Sequence, residues 1–296
     1  TAALADEAAR RFCGTATRHR CKRGIVMHRL ELSSAMRTDA GQKRAVNEDS
    51  AGAVSPCVLV AGGRGGREAG DLASQAAVGA FAEAIPAGAQ PSVRDVAEAL
   101  DSARAAVARV ASGRLHGAGC TLTGVVLVEH DDAPHWLVLN IGDSRVYLHR
   151  GSELHQLTQD HSLREEILLG GGVVQGELPG RNVITRALGS ADTTADTWLL
   201  PVETGARLLI CSDGLTTELA DAELRATLTM GGQAEAVAEE LVRRANEAGG
   251  RDNITVVVVD TVSGGRAWHV GSDTSSRSVS LIDDTLTVTM PQRRFR

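Results

Sequence analysis

Leu209–Leu215, LICSDGL, and Gly250–Asp260, GRDNITVVVVD, decide how this chain folds. Each joins a β-type apolar run to an aspartate: Asp213 follows its run, and Asp252 precedes its own. A third segment, VLNIGDSR, sets Asp143 after a run from Trp136 to Ile141. Singly, an Asp before Gly, Ser or Asn is turn chemistry or a helix N-cap. Three of them at the ends of buried-type strands are rigid, poorly solvated anions. Hard divalent cations select such oxygen ligands.

Around these segments the pattern predicts a strand over Arg207–Cys211, helices over Ala220–Thr227 and Gln233–Ala248, and a strand over Ile254–Val259. Gly249-Gly250 ends the second of those helices. Upstream, CTLTGVVLVE, HWLVLNIG and RVYLHRGSELHQL form a β-rich middle with short polar turns. Ser92 and Asp95 make a capping-box-like start, with Asp in place of Glu. The helix that follows carries Val96, Leu100, Ala103, Val107 and Val110 on one face. In DLASQAAVGAFAEAI, the spacing of Leu72, Ala76, Gly79 and Ala80 predicts an Ala-rich helix packed close to its neighbour. Residues 160–185 are Gly-rich and read as an irregular surface flap containing His161 and Ser162, with His161 a loop or surface residue. Strands outnumber crossover helices, and helices come in pairs after blocks of strands. This favours an α+β sandwich of packed antiparallel sheets flanked by helices over a doubly wound parallel sheet.

Composition narrows the function classes. Apolar residues at 43% supply a sizeable core, and only 2% of residues are aromatic, so Ala, Val, Leu and Ile must build it. A net charge of −6 argues against a nucleic-acid partner. The five cysteines form no CxxC pair and are odd in number, which points to a reducing, cytoplasmic setting without a disulfide framework. No stretch approaches the ~20 apolar residues needed to span a bilayer. Residues 1–30 read as a flexible N-terminal extension without a secretion-type apolar segment, and 264–296 as a flexible Ser/Thr-rich tail, leaving 31–263 as the folded domain. Within that tail, Thr285 beside Asp283 and Asp284 is a conceivable phosphorylation site, although plain disorder accounts for it. The Gly-rich loop GGRGGREAG matches neither GxGxxG nor GxxxxGK[ST]. As an RNA-binding element, one GGRGGR within an acidic domain is weak.

Taken in order, TDAGQKRAVNED, VAGGRGGREAG, GAGCTLTG, IGDSR, QDHSL, ITRALG, CSDGL and GRDNITVVVV resemble the metal-dependent Ser/Thr protein phosphatases of the PPM type, bacterial branch. The resemblance runs from about Thr38 to Asp260 and implies a four-layer fold, two antiparallel sheets between helix pairs. It implies two Mn2+ or Mg2+ ions, with a third in bacterial members, activating a water that attacks phosphorus. Substrates would be phosphoserine and phosphothreonine proteins, the targets of a Ser/Thr kinase. By the same resemblance Asp213 and Asp252 hold the first metal. Glu48, through water and with Asp49 beside it, serves the second together with the backbone carbonyl of Gly63. Asp143 with Asp213 forms the third site, and Arg44 clamps the phosphate. Thr38 and Asp39 support the loop, and Asn253 orients Asp252 or the loop.

One position departs from the pattern. The family motif V-A-D-G-x-G-G reads here Val60-Ala61-Gly62-Gly63-Arg64-Gly65-Gly66, so Gly62 stands where the metal-bridging Asp belongs. Arg64 adds a positive charge nearby and points either into the site or to solvent. Reduced metal occupancy and impaired activity are the expectation. Two explanations stand side by side: a natural pseudophosphatase that binds phosphoproteins or a kinase, or an enzyme in which Asp has been replaced by Gly.

Overall fold

A computed structural model describes residues 30–64, 69–112, 114, 117–170, 177–180 and 182–267, and the backbone of 277–278. The elements run β1 (Glu31–Asp39), β2 (Asp49–Val54), β3 (Cys57–Arg64), α1 (Gly70–Ala84), α2 (Val93–Ala111), β4 (Gly119–Cys120), β5 (Leu122–His130), β6 (Ala133–Ile141) and β7 (Arg145–Arg150). There follow β8 (Glu153–Gln156), α3 (Leu163–Leu169), β9 (Asp196–Pro201), β10 (Arg207–Cys211), α4 (Asp213–Glu218), α5 (Asp221–Met230), α6 (Ala234–Ala248), β11 (Ile254–Ser263) and β12 (Arg277–Ser278). One sheet has the order β1-β11-β10-β7-β8, the other β12-β9-β6-β5-β3-β2, with β4 pairing β3. Every ladder in both sheets is antiparallel.

Strand alternation sorts the core into three layers. Along β3, Val58 and Val60 face the other sheet, while Leu59 and Ala61 face the helices. Between the sheets, Val58, Val60, Val125 and Val138 meet Val146, Leu148, Ile210, Val257 and Val259. Outside one sheet, Leu59, Leu122 and Leu139 pack on α1 and α2; outside the other, Leu209, Val256 and Val258 pack on α4, α5 and α6. This is the expected four-layer α+β sandwich. Fully burying each such side chain contributes about 1.5–3 kcal/mol, so the three apolar layers carry the stability that few aromatics could.

Three local expectations need correction. Helix α1 buries Gly70, Ala73, Ser74, Ala77 and Phe81, not the Leu72/Gly79 stripe, and Leu72 is exposed. In an Ala-rich helix hydrophobic contrast is small, and Phe81, fully buried among α2 and the sheet, sets the rotation. Asp213 opens a helix, α4, and the helix expected over Ala220–Thr227 runs from Asp221 to Met230, where Gly231 stops it at positive φ. The region 160–185 is not wholly irregular: Ser162 caps α3 by accepting from the Glu165 N–H.

Elsewhere the sequence and the fold agree. Helix α2 starts at the Ser92/Asp95 capping box and buries Val96, Leu100, Ala103 and Val107. The N-terminal extension lies outside the described residues except for Leu30, as does most of the tail, including Thr285. The tail's Arg277–Ser278 backbone pairs with Trp198–Leu199 of β9. Among the described residues, no helix is long and apolar enough to cross a membrane.

Candidate functional site

The ends of both sheets meet at a cleft of about 550 Å3, and its walls come from chain segments far apart in sequence. Arg44, Glu48, Asp49, Gly62, Gly63, Arg64, Asp143, Asp213 and Asp252 all line it. Every residue singled out for metal or phosphate chemistry is therefore in one place. Lys43, Thr121, Ser144 and Asn182 join them; the first three fall inside the ordered motifs, and Asn182 falls in none.

The supporting geometry explains the positions. Thr38 Oγ1 meets Thr255 Oγ1 at 2.8 Å and accepts from Asn47 Nδ2, tying the β1 end to β11 and to the Arg44 loop. Asp39 Oδ1 accepts from the Gly41 N–H at 2.8 Å. Asn253, buried, accepts from the Glu48 N–H at 2.9 Å and donates to the carbonyls of Ala40 and Val46 at 3.0 Å each. Its side chain therefore holds the loop, while its backbone N–H donates to Asp252 Oδ1 at 2.8 Å. Gly63 is fixed by close approach: a Cβ there would lie 2.4 Å from the Gly70 backbone and 2.5 Å from the Glu48 carbonyl.

His161 is not a surface residue. It is buried beneath the Gly142–Asp143 turn, where Nδ1 accepts from the Gly142 N–H at 3.1 Å and Nε2 donates to Asp196 at 3.0 Å. Gly142 adopts φ +115°, and a side chain there would collide with Thr121. The aspartate that follows is thus aimed by a turn that a buried imidazole props up. A lone His in a polar loop gives no sequence signal of such a role.

The electrostatics of the cleft are unusual. Arg64 points into it, not to solvent: its guanidinium donates to Asp143 Oδ2 at 2.7 Å, lies 3.6 Å from Asp213, and reaches the Asn182 carbonyl at 3.3 Å. Arg44 donates to Asp252 Oδ2 at 2.7 Å. Burial pushes Asp49 up to about 6, against the hydrogen bonds from Thr255 and Ser212. Burial likewise raises Glu48, Asp143 and Asp213. For Asp213 the neighbouring carboxylates Asp143, Asp252 and Asp49 add to it, while Arg64 opposes. Buried oxygens Asp49 Oδ2 and Asp143 Oδ1 have no hydrogen-bond partner.

A bridged pair of divalent ions does not fit these residues as they stand. Gly62 offers no oxygen, Arg64 holds Asp143, and Arg44 holds Asp252. Among the described residues no three carboxylate, imidazole or thiolate side chains converge as a ligand set. Gly62 is not required by the backbone. A Cβ there would meet only Thr121 Oγ1 at 3.2 Å and Asp49 Oδ1 at 3.4 Å, and φ is not positive.

Two antiparallel sheets between helix layers, with carboxylates and arginines gathered at the sheet ends, define the class as PPM-type protein phosphatases. The sequence model described as protein phosphatase 2C matches residues 33–256, and the chain belongs to that family. Among its relatives, the serine/threonine phosphatase stp of Listeria innocua is 33% identical over 250 residues, covering 77% of this chain and 96% of the relative. The protein phosphatase PhpP of Streptococcus pneumoniae is 35% identical over 248 residues, covering 78% and 97%. The crystal structure of the Mycobacterium tuberculosis serine/threonine phosphatase PstP/Ppp superposes with a TM-score of 0.71 at 32% identity, over 78% of this chain and 99% of that one. A PstP catalytic domain in complex with two manganese ions gives 0.69 at 32% identity, over 79% and 100%.

Proposed function

We propose that this chain recognises phosphoserine and phosphothreonine side chains of proteins, the products of a Ser/Thr kinase, and that its hydrolytic step is impaired. The observation carrying this reading is Gly62, opposite Asp49 in the β2–β3 register, where the family pattern has a carboxylate. A carboxylate there would supply an oxygen ligand to the cations and partly offset their mutual repulsion. Here the same strand face carries Arg64 instead, two residues on.

What remains intact serves phosphate recognition. Arg44 is more than half exposed, and only one of its nitrogens is engaged with Asp252, so other N–H donors are left for phosphate oxygens. Lys43 beside it, exposed, adds a second positive charge. Asp213 and Asp252 are the carboxylates we assign to a single ion apart from the Asp143–Asp213 corner, weakly held because Arg64 and Arg44 compete for them; Glu48, Asp49 and the Gly63 carbonyl lack the bridging partner at position 62.

The test is hydrolysis of a phosphothreonine peptide in Mn2+ by this chain and by Gly62→Asp, with Asp213→Asn as the blank. Activity in Gly62→Asp alone supports a phosphatase disabled at one ligand. If both chains are inactive yet bind the phosphopeptide through Arg44, the protein is a binding module. Turnover by this chain above the blank overturns the impairment.

A further inference from the structure

Among the described carboxylates of the cleft, Asp143 is the most deeply enclosed, its side chain only 6% exposed. An ionised carboxylate so buried requires a cation, since an unpaired buried charge costs several kcal/mol. Neighbouring arginines are engaged elsewhere: Arg145 clamps Asp160 with two bonds at 2.8 and 2.7 Å, and Arg44 holds Asp252. Arg64 is the one that reaches Asp143, with Asp213 on its other side.

We infer that the Arg64 guanidinium is a built-in cation for the Asp143–Asp213 pair, so that this corner of the cleft takes up no divalent ion while Arg64 is present. Alternation along β3 puts residues 62 and 64 on one face, so the missing carboxylate and the added guanidinium act on the same space. Lacking a side chain, Gly62 cannot compete for the guanidinium. A guanidinium also stays protonated at any working pH, so this cation, unlike a His or a Lys, cannot be titrated away. It satisfies the pair incompletely: it takes Asp143 Oδ2 and leaves Oδ1 unpartnered. A divalent ion admitted to this corner would find an oxygen already free. The pairing stands whether or not the chain hydrolyses phosphate.

The test counts bound Mn2+ by calorimetry and by the electron paramagnetic resonance of free Mn2+, on the full chain. Arg64→Met should gain one Mn2+ site that the starting chain lacks. Arg64→Lys, which keeps the charge, should gain none, and Arg64→Met/Asp143→Asn should lose the new site. Without metal, Arg64→Met should melt lower than the starting chain, and the added Asp143→Asn should restore part of that loss. This coupling is readable even if the single variant folds poorly. The inference fails if Asp143→Asn alone removes an Mn2+ site from the starting chain. It also fails if Arg64→Met gains no ion, or if the two substitutions act additively on melting. None of these readouts involves turnover, so their failure is separable from a failure of the functional reading.

Discussion

Asp49 and Gly62 are register partners in β2 and β3, and a Cβ at position 62 would lie 3.4 Å from Asp49 Oδ1. The space for a second carboxylate is thus present, and it borders the one already there.

Gly62→Asp should therefore fold, and it should bind Mn2+ more than about tenfold tighter, because a directly bound oxygen outweighs the outer partners whose loss costs 10–100-fold. The variant should also be stabilised more by metal. At 100 times the dissociation constant, binding adds about 2.7 kcal/mol. Melting curves with and without Mn2+ read this, and an Mn2+ response equal to that of the starting chain would refute it.

Acid should stabilise the metal-free protein. Asp49 has an ordinary value of 3.8 and about 6 in the fold, so the folded state binds its proton more tightly. Between pH 4 and pH 6 the folded chain carries more protons than the unfolded one, and stability falls as pH rises. The size is on the order of 3 kcal/mol for Asp49, with Asp143 and Asp213 pushed in the same direction. Chelator-treated protein should melt higher at pH 5 than at pH 7, and Asp49→Asn should flatten the slope. A melting temperature that rises from pH 5 to pH 7 would contradict this.

Asn253→Ala removes one acceptor and two donated bonds from a buried side chain that ties β11 to the Arg44–Glu48 loop. The loss should be about 2–4 kcal/mol by urea unfolding, since buried partners are left unsatisfied. Phosphopeptide affinity should fall with it. A change under 1 kcal/mol would show that the loop is held by other contacts.

His161→Ala should unseat Gly142 and with it the aim of Asp143, at a cost of about 2–3 kcal/mol from a lost buried bond and a cavity. His161→Asn, which keeps an acceptor near the Gly142 N–H, should recover part of it. Equal losses for the two would assign the role to packing instead.

Much of this was legible in one dimension. Apolar periodicity gave β10, α6, β11 and the α2 face because a strand or helix half-buried against a core must repeat its pattern. Helical periodicity failed on α1, where Ala, Gly and Ser dilute the contrast and one Phe fixes the rotation. The ordered motifs pointed to the nine cleft residues singled out for metal or phosphate chemistry, since those motifs sit at strand ends or in the loops beside them and strand ends converge.

The sequence by itself determined the sandwich, the gathering of Asp143, Asp213 and Asp252, and the absence of an oxygen at position 62. Only the tertiary structure decided that Arg64 turns inward onto Asp143, that Asn253 holds the loop, and that His161 is buried under the Gly142 turn. These are pairings between residues 19 to 205 positions apart in the chain. Side-chain direction there follows from which strands neighbour one another and in what register, and local pattern carries no record of that.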